Sequence, residues 1–425
     1  MKRNYSLVLF ILLVFFVISF LTNILGPIIP DIIESFDLNL TLVSLLPFSF
    51  FVAYGVLSIP SGIGIERYGE KPVLVLAFLG AFAGAFFFAM VPAYGVSIVS
   101  LFMIGAGMAM LQVALNPLLR VAGGEEHFAF NLVLVQLVFG SASYISPRVY
   151  SYLVTHLGTG VGSDDNILLQ LLSKVVPPDL AWVSIYWIFA LVSFVMLVLM
   201  ALLRLPEVRL KDDERIGSQE IHRTLWKDRT VILFFIGIFA YVGTEQGVAN
   251  WISKFLATYH GYDPQLDGAK AVSWFWGLFT AGTMLGMVLL KIFDSRKVLI
   301  GFTLAAMICL TCALFGPARI AFIAFPLVGF FGSSMWSILF SLGLNSMKHH
   351  HGAVSGILCT GIVGGAVVPV IIGMLGDLFG LRSGLMFLYV TLAYIFGVGF
   401  RARPLVTNKT INLGHLLKKY KSGKP

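Results

Sequence analysis

The chain has 425 residues, of which 58% are hydrophobic and 12% charged, with a formal net charge of +8 and a mean hydropathy of +0.90. Soluble domains carry roughly 25% charged residues and under half apolar ones, so a water-exposed globule is excluded. The basic residues are spread over short loops and give a nucleic-acid role little support.

The apolar residues come in blocks of about 18–25, the length at which a helix crosses the hydrocarbon core. Strand-like alternation is missing, and lipid offers no partner for an unpaired amide, so the blocks predict helices. They fall near 5–25, 42–61, 72–91, 95–119, 128–150 and 180–203, then near 230–253, 271–290, 298–315, 320–343, 353–376 and 384–400. The fold class expected is an all-α membrane protein of twelve transmembrane helices in two six-helix halves. Residues 1–203 form the first bundle, 204–229 a cytoplasmic linker, 230–400 the second bundle and 401–425 a basic tail. The first block follows Lys2 and Arg3 like a signal peptide's start. Its apolar run is too long for one and no small-residue cleavage site follows, so it reads as a retained span.

With both termini in the cytoplasm, 23 of the 29 Lys and Arg residues lie inside. The opposite topology inverts this, so the positive-inside rule predicts a multi-pass protein of the cell (inner) membrane with cytoplasmic termini. Lys418, Lys419, Lys421 and Lys424 in the tail can also touch anionic lipid heads.

The loop after the second block contains Gly62, Glu66, Arg67, Gly69 and Lys71. Glycine permits a tight turn at the membrane face, and an acid and an arginine can latch a neighbouring helix. This order looks like the major facilitator signature, and the alternative is an ordinary basic loop. A degenerate copy, Gly286, Lys291, Asp294, Arg296 and Lys297, follows the eighth block.

Of the 21 acidic residues, only Glu245 is expected near the middle of a block. A carboxylate at membrane depth costs at least about 2.5 kcal/mol on insertion scales. It must face a cavity, be paired or carry a proton, which suits a group that gains and loses a proton during transport. The bland alternative is an acid that only locks helices together. Gln112 and Asn116 share a helix face four residues apart, ahead of Pro117. With Asn23, Gln136, Gln246 and Asn250 they offer the donors and acceptors that sugar hydroxyls demand, or else they hydrogen-bond between helices. Trp336, with Trp251, Trp274 and Trp276, can stack on a sugar ring or anchor at the interface.

Smaller features read as structural. Cys309 and Cys312 are packing residues on a buried helix rather than a redox or metal pair. The cluster His349, His350 and His351 is an interfacial loop rather than a metal site, and no metal or other cofactor is expected. Asn39-Leu-Thr41 fits a glycosylation sequon close against the second block, and Gly361, Gly364 and Gly365 are a small-residue patch.

Longer strings carry a resemblance. Tyr241-Val-Gly-Thr-Glu245, the run from Ser334 through Trp336 to Ser341, and the run from Ser355 to Pro369 look like the fucose–galactose–glucose:proton symporter family of the major facilitator superfamily. Asn116-Pro117, His127-Phe128 and Asn131-Leu132 are similar too, and the likeness runs from about Tyr5 to Gly399. It implies a twelve-span major facilitator fold and uptake of a hexose or deoxyhexose. Fucose-type members carry carboxylates at positions that match Gly26 and Gln112 here, and neither can titrate. The family's span-five asparagine is replaced by Leu137, with Gln136 beside it. Coupling then falls to Glu245; otherwise the protein is a uniporter or uses sodium.

The sequence therefore predicts a secondary transporter, not an enzyme, that moves a sugar by alternating access with a proton or sodium ion as a monomer. The alternatives are an exporter of a drug or metabolite, an uncoupled uniporter, or a non-transporting membrane sensor. No phosphate-binding glycine loop is present to support an ATP-driven pump.

Overall fold

A computed structural model describes residues 5–123, 128–160, 166–203 and 219–405; these are helical, with no strand among them. Residues 204–218 of the expected linker and 406–425 of the expected tail lie outside the described residues. The helices begin with α1 Tyr5–Thr22, α2 Leu25–Phe36, α3 Leu40–Tyr68, α4 Glu70–Met90, α5 Tyr94–Gly123 and α6 Phe128–Gly158. Next come α7 Ile167–Leu172, α8 Ser184–Leu202, α9 Gln219–Leu225, α10 Arg229–His260, α11 Ala269–Ile292 and α12 Ser295–Phe315. The chain continues through α13 Ala318–Gly332, α14 Met335–Asn345, α15 His351–Thr360, α16 Gly364–Phe379, α17 Leu381–Met386 and α18 Leu388–Arg401.

Eleven helical stretches among the described residues are long and apolar enough to cross a membrane. The block expected at 128–150 falls on α6, a 31-residue helix that is not one of the eleven. The expected count of twelve thus stands at eleven by this measure.

The first span runs from Tyr5 to Phe36, well past the expected end at residue 25. Asn23 and Ile24 break it into α1 and α2. Pro27 sits in the first turn of α2, where its missing N–H is an orphan in any case. Leu25, Ile28, Ile29 and Ile32 recur at helical spacing and are all buried. This corrects the expectation that Glu245 is alone among the acids inside a span: Asp31 lies on α2 and is 7% exposed.

Helices α1–α8 pack largely on one another, through α3 on α5, α4 on α5 and α8, and α1 on α6. Helices α10–α18 do the same, through α10 on α16 and α18, and α11 and α12 on α13. The most extensive crossings between the groups are α3 on α16, α6 on α11, and α2 on α10.

Hydrogen bonds between the groups cluster toward the face where α2 ends and α3 begins. Leu40 N donates to Asp377 Oδ1 at 2.8 Å, and Thr41 N and Thr41 Oγ1 donate to Asp377 Oδ2 at 2.8 and 2.5 Å. Asn39, the first residue of the sequon, uses its side chain to accept from Leu42 N, and Val43 N bonds Asn39 O. The first four amides of α3 are thus filled, two of them by a carboxylate from the other group of helices. Gly373 permits this approach, since a Cβ there would lie 2.5 Å from Leu40 O. Nearby, Gln265 Nε2 donates to Asp31 Oδ1 at 2.8 Å and Arg148 Nε donates to Ser273 Oγ at 3.0 Å.

Losing a helix cap costs about 0.5–2 kcal/mol, a factor of about 2–30 in the balance between closed and open arrangements. Ser44 is buried beside Gly373 and reports on this seam. In a background with Cys309, Cys312 and Cys359 replaced by Ser, a Ser44→Cys probe should react faster with a maleimide by that factor once Asp377→Ala is added. An unchanged alkylation rate would remove Asp377 from the closure.

Candidate functional site

Helix α10 starts cleanly because Asp228 Oδ1 accepts from Thr230 N and Val231 N at 2.6 and 3.4 Å. Its 32 residues put Tyr241 and Glu245 four apart on one face. Tyr241 Oη donates to Glu245 Oε2, and Gln246 Nε2 donates to Glu245 Oε1 at 3.2 Å. Both carboxylate oxygens therefore have a neutral donor. Trp336 of α14 lies 6.5 Å from the Tyr241 ring, centroid to centroid, and stacks on Phe340 at 5.7 Å.

Glu245, Tyr241 and Thr244 line a cavity with Phe275 and Phe279 of α11, Val328 of α13, Met335 of α14 and Leu392 of α18. No cationic side chain lines it, and every lining residue comes from α10–α18. It has room for about one water molecule and not for a sugar ring. This cavity is therefore formed within the second group of helices. Thr244 Oγ1 and Thr391 Oγ1, 2.6 Å apart, tie α10 to α18 at this level.

Gln246 and Asn250 are buried on α10 toward the seam. A Cβ at Gly365 of α16 would meet the Gln246 side chain at 3.2 Å, and one at Gly26 of α2 would lie 3.4 Å from Asn250 Cα. Asn250 Nδ2 is buried without a hydrogen-bond partner. The Gly26 contact is the tightest of these: a Cβ there would lie 2.2 Å from Ala249 O, so α2 and α10 meet backbone to backbone. The position at which the resemblance implies a carboxylate has no space for any side chain in this arrangement.

Asn23 sits in the break between α1 and α2. Its Nδ2 donates to Ser143 Oγ of α6 at 2.8 Å, while its Oδ1 is buried without a partner. Ser19 Oγ lies 2.5 Å from Ser143 Oγ, which completes a polar tie between α1 and α6. Gln112 is half-buried on α5 and Gln136 is exposed on α6. The side chain of Asn116 lies outside the described residues. Glu245 and Gln246 are therefore in contact, Asn250 follows four residues on along α10 and Trp336 approaches Tyr241, whereas Asn23 belongs to a separate cluster with Ser19 and Ser143. Asp31 was the residue missed; the apolar spacing around Ile28, Ile29 and Ile32 was the signal that could have found it.

In the loop motif, Gly62 is buried on α3 and Gly69 closes that helix. Arg67 lies 5.3 Å over the Tyr68 ring. Lys71 Nζ donates at 2.8 Å to the carbonyls of both Ala201 and Leu203, so it caps the C-terminal end of α8. The Glu66 side chain lies outside the described residues. In the second copy, Asp294 caps α12 through Arg296 N and pairs with Arg296 Nη2 at 3.1 Å. The hydrogen bond from Arg296 holds the Asp294 carboxyl below the usual carboxylate range.

Residues 11–361 match the family model described as Major Facilitator Superfamily. The chain is 31% identical over 402 residues to the glucose/galactose transporter of Brucella abortus, covering 93% of each chain. It is 25% identical over 384 residues to the L-fucose-proton symporter of Escherichia coli, covering 86% of each. A crystal structure of the E. coli fucose:proton symporter superposes with a TM-score of 0.67 at 22% identity, covering 95% of this chain and all of the other.

Overpacking a tight contact costs typically 1–3 kcal/mol. Gly26→Ala should therefore lower the thermal unfolding midpoint of the purified protein, as followed by tryptophan fluorescence. A midpoint equal to that of the parent chain would contradict the close approach of α2 and α10.

Proposed function

Because the chain belongs to the Major Facilitator Superfamily, we propose that it is a secondary transporter that moves a hexose or deoxyhexose by alternating access between its two groups of helices, coupled to protons through Glu245. The observation that carries the coupling is the Glu245 group itself. A carboxylate midway along an apolar 32-residue helix has only neutral donors, Tyr241 and Gln246, and no cation lines its cavity. Such a group is cheaper to bury with a proton than without one. The cargo class rests on the chain-length kinship with proteins named for glucose, galactose and fucose.

Gln246 and Asn250 are the amides we assign to the sugar on α10, with Asn23, Gln112, Asn116 and Gln136 contributed by the first group and Trp336 as a stacking surface. Residues 1–203 and 230–400 are the two moving bundles, joined by 204–229. Gly62, Glu66, Arg67, Gly69 and Lys71 form the latch at the membrane face. Both termini are cytoplasmic, the membrane is the inner one, and the transporter works as a monomer. Gly26 and Gln112 support a second reading, an uncoupled uniporter, since neither position can carry a proton.

Uptake of radiolabelled glucose, galactose and fucose into proteoliposomes, with and without imposed pH and sodium gradients, separates these readings. Accumulation should follow the pH gradient. Glu245→Gln should abolish accumulation while sparing downhill exchange, and concentrative uptake persisting in that variant would end the coupling role of Glu245. Equilibration of the sugar without accumulation under either gradient would leave the uniporter.

A further inference from the structure

Asp31 is a buried acid for which the transport reading has no use. It lies on α2, within the first span, and is 7% exposed. Its Oδ1 accepts from Gln265 Nε2 at 2.8 Å, across the seam between the two groups of helices. Its Oδ2 is buried with no hydrogen-bond partner. Gln265 is aimed there by its own segment: Pro264–Gly268 is a single helical turn whose first amides are capped by Asp263, which accepts from Gln265 N and Leu266 N at 2.8 Å each. The charged groups that act on Asp31 are Glu34 of its own helix and Asp263 of the facing segment, and both are acids.

Among the described residues, an anion in this position has one neutral donor and two neighbouring acids. The neutral acid is the form that fits a closed seam, since burying an uncompensated charge is strongly unfavourable. When the seam opens, Gln265 withdraws with the second group, water reaches both oxygens and the carboxylate can ionise. We infer that Asp31 is a proton-binding site that governs this face: the face closes with Asp31 protonated and releases that proton when it opens. The inference rests on the family's alternation between two faces and not on the identity of the cargo. It also differs in kind from the cap by Asp377, which uses an acceptor with three donors and needs no proton.

The sign follows from linkage. The closed arrangement binds one more proton than the open one, so raising the pH favours opening, by up to about tenfold per pH unit in the open-to-closed ratio. Val91 and Phe315 are exposed positions that follow α4 and end α12 at this face, one in each group. With Cys309, Cys312 and Cys359 replaced by Ser, spin labels at Val91→Cys and Phe315→Cys report the gap by electron–electron distance measurement in lipid nanodiscs across pH. The ratio of long to short distances should rise with pH in the parent chain and be flat in Asp31→Asn. Gln265→Ala should raise that ratio at every pH, because it removes the donor that the closed face supplies.

A pH slope that survives Asp31→Asn, or no slope in the parent chain, overturns the inference. Should Asp31→Asn fail to fold, Gln265→Ala decides the matter, and a ratio unchanged from the parent overturns it. Uptake in the same preparations keeps the two readings apart. Loss of sugar accumulation with the slope intact defeats the proposed cargo alone. Intact accumulation beside a flat ratio in the parent defeats the inference about Asp31 alone.

Discussion

Hydrocarbon supplies no hydrogen bonds, and that constraint shapes most of what this chain does with its polar atoms. Water cannot complete the end of a helix or the second oxygen of an acid at membrane depth, so partners come from neighbouring helices. Asn23 and Ser19 meet Ser143 across two spans, and Thr244 meets Thr391 across two others. Lys71 spends its charge on the last carbonyls of α8. Each tie is modest in energy, since such bonds average roughly 0.6 kcal/mol in a membrane. Their value lies in direction, because each defines which helices face each other.

The same constraint separates contacts within a group from contacts between groups. Inside each group, ties such as Ser19 with Ser143 and Thr244 with Thr391 are neutral and buried. Across the seam carboxylates take part as well, Asp377 on the amides of α3 and Asp31 on Gln265, beside the bond between Arg148 and Ser273. A carboxylate is well solvated once water arrives, so a seam made this way can part without stranding its polar atoms. The close backbone contact at Gly26 and Ala249 works alongside them, because it gains packing without adding a side chain that opening must expose.

Glu245 follows a different logic. Its partners Tyr241 and Gln246 are neighbours on its own helix, so the group stays intact however the two groups of helices move. Its cavity belongs wholly to the second group and admits about one water. The Gln246 amide touches the acid and its stem faces Gly365 of α16.

Much of this was legible from the residues alone. Block length and charge asymmetry identify a multi-pass helical membrane protein, because a span has a minimum apolar length whatever surrounds it. The loop motif and the strings on α10, α14 and α15–α16 identify the superfamily, and Glu245 stands out because an acid in an apolar block is costly in any fold. The first span's true end was not legible by that route. Two prolines and two acids between Gly26 and Glu34 read as a loop until neighbouring helices make a place for them. Only the tertiary structure decided that Gly26 touches a backbone, that Asp31 is buried against Gln265, and that Glu245 borders a small cavity lined from the second group of helices. Those are facts about which helix lies opposite, and a linear pattern encodes only which face of a helix is apolar, not what covers it.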